Sequence, residues 1–369
     1  MSRTGILTMA AVHAQSRMGA HWQQRMEALR EYEVIRDGNI SGTSLYGRYL
    51  LSSEYNRARE HLALLLKTFE GVPLSKVFAG RELENEEGVC FLLESLHPLP
   101  PKSVDIERFR SAIVADLTLV HGIGEANQRR LKARGYQTLY DLAQTPKFRV
   151  PALQVIDHLD GGNSEELISL IGRRHARSHP LVLGAASYHE PEDYVFLDIE
   201  TLGLFSRPII LFGIGVLEKG QLVVRQYLLR GIDEEQAALA AACDHLSGEQ
   251  PALVTFNGKS FDLPYMQDRL AYYGMGSASR LPHFDVLFFS RRRWRDQFSS
   301  LRLSVLEKEI LGIRREEDIP GQMVPEFYEK YLQTQNCGPL VPIVEHNKQD
   351  VVSLAMLFFR LLEDYDGCC

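Results

Sequence analysis

The pattern of apolar and polar positions divides the chain into a helical middle part and a strand-rich C-terminal half. From residue 194 onward, three apolar runs with short connections predict an antiparallel meander of strands. After the meander, apolar stripes at helical spacing alternate with short apolar runs, which indicates helices packed on the faces of a sheet. The pattern therefore predicts an α/β domain with a mixed sheet over residues 190–365. The expected strands are 194–200, 208–217, 222–229, 252–256 and 283–290, and the expected helices begin near 233, 263, 301, 324 and 340.

The N-terminal part shows weaker signals. Residues 59–69 predict a short helix, and two apolar runs joined through residues 85–88 predict a β-hairpin. A proline-rich linker follows, and a helical pattern then extends to about residue 177. We therefore expect a short β-containing region at 1–105, of a role that the sequence does not indicate, and a small helical domain at 106–180 ahead of the α/β domain.

Bulk properties restrict the possible partners. The 369 residues carry a net charge of -7, so binding of a polyanion must rely on local basic patches. The five cysteines have no Cys-x-x-Cys spacing and are too few for a disulfide framework, which favours a cytoplasmic protein. No apolar run is long enough to predict a membrane helix, and the run at 5–12 is only a weak match to a secretory signal.

One basic patch surrounds Gly122-Ile-Gly124, between two helical patterns. Residues 110–149 contain seven Lys or Arg and three Asp or Glu, so their charge of +4 is opposite in sign to that of the chain. Both glycines tolerate positive φ and leave backbone N–H groups exposed at the start of the next helix, where a phosphate group is well held. The segment resembles the helix–hairpin–helix motif of proteins that bind DNA without reading its sequence. Gly122, Gly124, Arg129 and Arg130 are therefore the predicted phosphate contacts, and the alternative is a helical hairpin that serves only for packing.

A pair of acidic residues interrupts the first apolar strand of the C-terminal domain. Asp198 and Glu200 lie within Tyr194-Val-Phe-Leu-Asp-Ile-Glu-Thr201, and residues two apart in a strand point to the same face. Burying two like charges costs free energy unless a cation lies between them. A divalent metal is the simplest such cation, and an arginine from elsewhere in the chain is the structural alternative.

Two further segments supply acidic residues. Asp262 ends the run that begins at Asn257, and Asp350 ends His346-Asn-Lys-Gln-Asp350. His346 and Asp350 are four residues apart, so they share one face of a helix. Taken alone, Asp262 is an ordinary helix cap, His346 is a surface or core histidine, and Asp350 is an ordinary helix charge. Together with the strand pair they predict a metal site for phosphodiester hydrolysis.

The three acidic motifs, in this order, resemble those of the DEDD 3′→5′ exonuclease superfamily, whose members have a ribonuclease H-like fold. The resemblance covers residues 194–363 and is greatest to a group of prokaryotic proteins described as predicted exonucleases. In the superfamily, a histidine usually stands five residues before the last aspartate and a tyrosine four, whereas this chain has its histidine at the tyrosine's spacing. The resemblance implies that His346 orients or deprotonates the attacking water, and that two Mg²⁺ or Mn²⁺ ions are held by Asp198, Glu200, Asp262 and Asp350.

Polar and basic residues near these motifs are candidate substrate contacts. Asn257 and Lys259 lie on the loop before the second acidic motif and are predicted to contact the substrate backbone. The segment 291–295, placed after the fifth expected strand, combines four arginines with a tryptophan, as proteins that bind single strands do. Within it Arg292 and Trp294 are the predicted contacts, and the alternative is a solvated loop.

The sequence as a whole predicts a metal-dependent nuclease, to which the resemblance adds 3′→5′ exonuclease polarity. The hairpin motif favours DNA over RNA as the substrate. Two other functions stay open. One is a DNA-binding or scaffold protein whose nuclease fold no longer cuts, which the four intact carboxylates disfavour. The other is an RNA-processing exonuclease in which the hairpin contacts protein.

Overall fold

The computed structural model describes residues 32–37, 49–100, 105–204, 207–248, 250–276, 281–315 and 318–367. The run at 5–12 that weakly matches a secretory signal lies outside these residues. The strands are β1 (Glu33–Ile35), β2 (Tyr49–Leu51), β3 (Gly80–Asn85), β4 (Gly88–Pro98), β5 (Tyr194–Thr201), β6 (Ile209–Glu218), β7 (Gln221–Leu228), β8 (Ala252–Thr255) and β9 (His283–Asp285).

Helices make up most of the remaining described chain. A π-helical turn at Glu307–Leu311 follows the twelfth helix directly. The helices are α1 (Ser52–Thr68), α2 (Leu74–Val77), α3 (Ile106–Val114), α4 (Glu125–Ala133), α5 (Leu139–Ala143), α6 (Arg149–Gly161), α7 (Ser164–Gly172), α8 (Pro180–Gly184), α9 (Glu235–Asp244), α10 (Asp262–Tyr273), α11 (Val286–Trp294), α12 (Leu303–Leu306), α13 (Val324–Thr334) and α14 (Leu340–Gly367).

Seven strands form one sheet in the order β3-β4-β7-β6-β5-β8-β9, which confirms the predicted mixed α/β architecture. β5, β6 and β7 pair antiparallel, as the meander pattern predicted. β8 lies parallel to β5, and β9 lies parallel to β8. Parallel neighbours need a crossover connection, and α10 provides it between β8 and β9.

The N-terminal hairpin is part of this sheet. β3 and β4 pair with each other, and β4 also pairs antiparallel with β7, from Phe91 opposite Leu228 to Pro98 opposite Gln221. The sheet therefore extends beyond the predicted domain of residues 190–365 and takes in part of the region 1–105. Local patterning identified the hairpin but not its partner, because β7 is distant in sequence.

The fifth expected strand is shorter than predicted and leads into a helix. β9 ends at Asp285, and α11 follows at once. The Asp285 carboxylate accepts a hydrogen bond from the Leu287 N–H and so caps the helix. Apolar residues on both sides of Asp285 concealed this boundary, because a short buried strand and a buried helix look alike in sequence. The alternative of a solvated loop at 291–295 is not what the structure shows, since residues 291–294 form the last turn of α11.

Two apolar cores cover the two faces of the sheet, and β5 contributes to both. Tyr194 and Phe196 pack in the first core, whereas Val195 and Leu197 pack in the second. The first core also contains apolar residues of α14 and of the helical segment 106–184, so that segment shares a core with the sheet. The second core contains residues of α1, α9, α10 and α13.

The alternation along β5 decides where the acidic pair points. Asp198 and Glu200 continue the series of Phe196, so they lie on the face that α14 covers. α14 carries His346 and Asp350, so the first and last motifs meet on this face of the sheet. None of the described helices is both long and apolar enough to cross a membrane.

Candidate active site

The first carboxylate of β5 is fixed by a residue of α14. Asp198 lines the wall of a cleft, and Glu200 beside it is buried. Asn347 Nδ2 donates to Asp198 Oδ2 at 2.8 Å and to the Asp198 carbonyl oxygen at 3.2 Å. Asn347 is fully buried, and its Oδ1 accepts from Gln226 Nε2 at 2.9 Å. This chain of hydrogen bonds sets the orientation of Asp198.

Asn347 is a site residue that the sequence analysis did not single out. The Asn347 side chain has room because residue 213 is a glycine, and Gly213 lies opposite Asp198 in the strand register. A Cβ atom on Gly213 would lie 2.4 Å from Asn347 Oδ1. A glycine inside an apolar strand often marks such a close approach, so Gly213 was the available signal.

Asp262 joins a second element to β5. It is a buried residue whose Oδ1 accepts a hydrogen bond from the Ile199 N–H at 3.2 Å. Ile199 lies between the two acidic residues of β5, so Asp262 is held beside them. The capping alternative is not what the structure shows, because Phe261 occupies the N-cap position of α10 and Asp262 is the first helical residue.

The acidic side chains raise one another's pKa. Burial, followed by the charges of Asp350, Glu200 and Asp262, raises the pKa of Asp198 well above its ordinary range. Burial is also the main cause that raises the pKa of Glu200 to about 8 and that of Asp262 to about 7, and the charge of Asp350 adds to both. Such effects require the four carboxylates to lie close together in a poorly solvated place. The structure thus brings three separate segments of the chain to one site.

Arg315 is the cation that lies against Asp350. It forms a salt bridge with Asp350 and binds Glu307 at 2.6 Å from Nη2 and 2.7 Å from Nε. Its Nη1 is also 3.3 Å from Asp318 Oδ2. The structural alternative to a metal, an arginine partner, therefore exists for Asp350. Within the described ranges, no arginine or lysine forms a salt bridge with the acidic pair of β5.

His346 faces the acidic cluster with one nitrogen and Asp318 with the other. Nε2 is 3.6 Å from Asp350 Oδ2 and 3.9 Å from Glu200 Oε1, so the four-residue spacing does place His346 beside the last aspartate. Nδ1 is 2.6 Å from Asp318 Oδ1, which holds the orientation of the ring. Asp318 carries no signal in the sequence, because it lies in a charged loop without any periodic pattern.

The electrostatics of His346 differ from those of a free base. Burial by itself lowers the pKa of His346, but the charges of Asp350, Asp318 and Glu200 outweigh burial and raise that pKa to about 10. His346 is therefore a cation at neutral pH in the metal-free protein, where it balances part of the acidic charge. A proton-accepting role for His346 depends on other cations taking over that balance.

The acidic residues suit divalent cations by their chemistry, although they are not arranged as a finished ligand set. Among the residues that the structure describes, no group of three or more His, Cys, Asp or Glu side chains has the arrangement of a metal site. Two of the carboxylates are engaged elsewhere, because Asp350 forms a salt bridge with Arg315 and Asp198 accepts a hydrogen bond from Asn347. Buried carboxylates with raised pKa values still form a set of hard oxygen donors in need of positive charge. That donor set fits Mg²⁺ or Mn²⁺ better than zinc.

The loop between β8 and α10 is held in a conformation that is uncommon for a residue other than glycine. Asn257 has a φ of 69°. Asp285 stabilises it, since Oδ1 accepts from the Asn257 N–H at 2.8 Å and Oδ2 accepts from the Lys259 N–H at 3.1 Å. Asn257 consequently lines the cleft together with Asp198. Lys259 does not line the cleft, and burial followed by the charge of Arg177 lowers its pKa.

The cleft has a volume of about 730 Å³ and extends from the acidic residues along α11. Arg291 and Arg295, four residues apart on one side of the helix, line it together with Phe298. Arg292, the arginine predicted as a contact, lines a neighbouring cavity instead. Trp294 is only 3% exposed and packs in the first core, so the prediction that it contacts the substrate is wrong. Because residue 294 belongs to a helix, its side chain faces the first core, whereas a solvated loop would have left it exposed.

The glycine hairpin precedes a nine-residue helix, as predicted, but a 3-10 turn at Leu117–Leu119 takes the place of a helix directly before it. Gly122 has a φ of 84° and therefore uses the freedom of glycine. Gly124 has a φ of -93° and a ψ of 176°, so its conformation is open to other residues. Gly124 is the N-cap residue of α4 and has no side chain that could accept a hydrogen bond. The first N–H groups of the helix therefore have no side-chain cap.

The arginines of α4 take different positions. Arg129 and Gly124 line one cavity of about 680 Å³, so both have access to the same ligand. Arg130 is exposed but is not among the residues that line this cavity. Ile123 is buried between the two glycines and anchors the hairpin in the first core.

Comparison with known proteins gives relatives for part of the chain. It is 32% identical over 202 residues to the uncharacterized protein YprB of Bacillus subtilis (strain 168), a match that covers 53% of this chain and 48% of YprB. The chain thus spans about half the length of this curated relative. Among solved structures, the family B DNA polymerase from the hyperthermophilic archaeon Pyrobaculum calidifontis matches with a TM-score of 0.35 and 18% identity, over 45% of this chain and 24% of the polymerase.

A family match covers the segment that carries the acidic site. Residues 195–362 match the RNase_H_2 family, which is described as RNase_H superfamily. This segment runs from β5 to α14, and it contains the four carboxylates, His346 and the cleft. Residues 195–362 are therefore similar to the RNase_H superfamily, and the similarity is confined to this segment.

Proposed function

We propose that this protein is a metal-dependent nuclease that hydrolyses phosphodiester bonds of DNA from the 3′ end. One observation carries the proposal. Four carboxylates from three distant segments lie close together, two of them, Asp198 and Asp350, line a cleft, and no described carboxylate forms a salt bridge with the arginines of that cleft. The similarity of residues 195–362 to the RNase_H superfamily supports a nuclease, and the order of the acidic motifs supports exonuclease polarity.

Asp198, Glu200, Asp262 and Asp350 are the proposed ligands of two Mg²⁺ or Mn²⁺ ions. When bound, such ions supply the charge that activates a water molecule and stabilises the leaving oxygen. The protein's own part is to hold the oxygen donors in place. Asn347 does so for Asp198, and the Ile199 N–H does so for Asp262.

His346 is the proposed group that orients the attacking water and accepts its proton. Its Nε2 faces the acidic cluster, and Asp318 holds Nδ1 at 2.6 Å. This contact fixes which nitrogen faces the reaction and stabilises the imidazolium that forms after proton transfer. Asp318 is therefore a positioning residue in this proposal.

The cleft is the proposed place of the substrate's end. Asn257 lies beside Asp198, where its side chain reaches the backbone of a bound nucleotide, and Lys259 on the same loop adds positive charge nearby. Arg291 and Arg295 are the proposed phosphate contacts in the cleft itself.

The glycine hairpin supports DNA as the substrate. Gly122, Gly124, Arg129 and Arg130 form the proposed backbone contacts, which would hold phosphates without reading bases. Gly122→Pro tests this, because a φ of 84° is closed to proline. We expect weaker DNA binding and a shallower dependence on salt. The matched control is Gly135→Pro, at a φ of 97° in the turn after α4, and an equal loss there would remove the hairpin from the DNA contact.

A substrate panel tests the proposed reaction. DNA single strands, DNA duplexes and RNA, each labelled at the 5′ end, are incubated with Mg²⁺ or Mn²⁺. A 3′→5′ exonuclease produces a ladder of labelled strands that shorten with time, whereas early release of a labelled mononucleotide would reverse the polarity. Degradation of RNA alone would favour the RNA-processing alternative, and binding of DNA without any cleavage would favour the scaffold alternative.

The site assignment is tested on α10, which carries one buried and one exposed aspartate. Asp262→Asn removes a proposed metal ligand and should lower the rate at least about 100-fold. Asp268→Asn changes the same side chain type at an exposed position and should retain the rate. If Asp262→Asn degrades DNA as fast as the unmodified protein, Asp262 is not a metal ligand. The predicted cytoplasmic location belongs to the same proposal.

A further inference from the structure

The cleft beside the acidic residues continues into a second cavity. The cleft has about 730 Å³ and the second cavity about 680 Å³, and both are lined by Arg291, Arg295 and Leu301. Arg177 and Arg292 line the second cavity only. Because the two cavities share a wall of three residues, they form one groove that begins at the acidic site and follows α11.

The turn at residues 174–179 leads from this groove toward the glycine hairpin. Residues 176–178, in the middle of the turn, line the second cavity. His175 and His179, near the ends of the turn, line a third cavity of about 680 Å³. Gly124 and Arg129 line the third cavity as well. One surface turn thus borders both the groove along α11 and the cavity at the start of α4.

The arginines of the groove have no carboxylate partner among the described residues. None of the five arginines that line the first two cavities forms a salt bridge in that part of the chain, and Asp296 is the one described carboxylate that lines the second cavity. Arg293 shows the contrast, because it points away from the groove and pairs with Asp364 at 3.1 Å. A row of arginines without carboxylate partners attracts successive phosphate groups. The five are Arg177, Arg291, Arg292, Arg295 and, in the cleft, Arg302.

The dimensions and the lining suit one strand. Volumes of about 680 and 730 Å³ are in the range of cavities that hold a ligand of nucleotide size. Phe256 and Phe298 line the cleft and provide aromatic rings next to the arginines. Arginines interleaved with aromatic rings are the composition with which proteins track a single strand without reading its sequence.

We infer that a single DNA strand lies along one continuous groove, with its end at the acidic site, its following phosphates at Arg177 and Arg292, and its further part at the glycine hairpin. This inference rests on the proposed function and deepens it, because it names the form of the substrate and its path. The hairpin and the cleft then hold one strand, and the turn at 174–179 is the link between them.

Binding without catalysis tests the path. The full chain is titrated in EDTA with a fluorescent DNA single strand of about 20 nucleotides, long enough to exceed the cleft. The affinity is measured between about 50 and 200 mM salt. In Arg177→Ala/Arg292→Ala we expect the slope of log affinity against log salt to become shallower by about 1.4, at about 0.7 for each lost phosphate contact. Over this salt range that change corresponds to about a sevenfold smaller loss of affinity.

Two matched variants make the result decisive. Arg293→Ala removes an arginine of the same helix outside the groove and should keep the slope of the unmodified protein. Arg177→Lys/Arg292→Lys keeps both charges and should restore the slope. An unchanged slope in the double alanine variant, an equal change in Arg293→Ala, or tighter binding of a duplex than of the single strand would each overturn the inference.

The proposed function is tested separately from the path. Hydrolysis of the p-nitrophenyl ester of thymidine 5′-monophosphate with Mn²⁺ needs the acidic site but no long strand. Absence of this activity in the unmodified protein would count against the nuclease, while the salt slopes would still decide the path. Activity on the ester together with unchanged salt slopes would support the proposed nuclease and contradict the proposed path of the strand along the groove.

Discussion

Replacing Glu200 by glutamine should remove a pH-dependent loss of stability from the metal-free protein. Glu200 is buried beside other carboxylates, and its pKa is raised from an ordinary 4.5 to about 8. A carboxyl group with a raised folded-state pKa destabilises the fold as pH rises above the unfolded-state value, and the loss is complete above the folded-state value. From these two values, Glu200 costs about 3 kcal/mol more at pH 8 than at pH 5, as an order of magnitude.

The assay is urea unfolding in EDTA at several pH values between about 5 and 8. The free energy of unfolding of the unmodified protein should fall more steeply with pH than that of Glu200→Gln, by the amount given above. Glu329→Gln is the control, because burial raises the pKa of this half-buried residue to about 7. Both variants should flatten the pH dependence, but only Glu200→Gln should weaken the stabilisation by added Mn²⁺. If Glu200→Gln unfolds with the same pH dependence as the unmodified protein, the electrostatic description of the acidic site is wrong.

Three further predictions concern the residues around this site. Asn347→Ala leaves Asp198 without its hydrogen bond, so activity should fall about 10–100-fold and stability by about 1–3 kcal/mol; activity without change would show that Asp198 needs no such support. Arg315→Gln breaks a buried ion pair, so metal-free stability should drop by about 3–5 kcal/mol, while freed Asp350 should bind Mn²⁺ more tightly in calorimetric titrations; weaker binding would contradict a competition between arginine and metal. Trp294→Ala should cost about 3–5 kcal/mol in urea unfolding and leave the DNA affinity of the folded protein unchanged, whereas lost affinity would place Trp294 in the interface after all.

The errors of the sequence analysis share one origin. The apolar residues before and after Asp285 do not distinguish a strand from a helix, so the first residues of α11 were predicted as a continuation of β9. That mistake selected Trp294 as a substrate contact, although its orientation is set by the side of a helix that faces the core. Arg291 and Arg295 could be assigned to the cleft only once their four-residue spacing was known to be helical.

Local sequence patterns also did not indicate the residues that support the carboxylates. Asn347 belongs to a motif that the sequence did reveal, but its partner Gln226 lies on a different strand. Arg315 and Asp318 stand in a charged stretch whose composition is that of any surface loop. Their roles come from contacts across long sequence separations, about which local pattern contains no information.

The sequence by itself determined the α/β class, the meander that carries Asp198 and Glu200, and the types of residue that a metal-dependent hydrolase requires. These features follow from periodicities of two and 3.6 residues and from short motifs, which are local properties of the chain. Only the tertiary structure decided that the N-terminal hairpin completes the sheet, that Asn347 orients Asp198, and that Arg315 pairs with Asp350. The physical reason is that pairing, burial and electrostatic coupling are properties of neighbours in space, and packing of the whole chain chooses those neighbours.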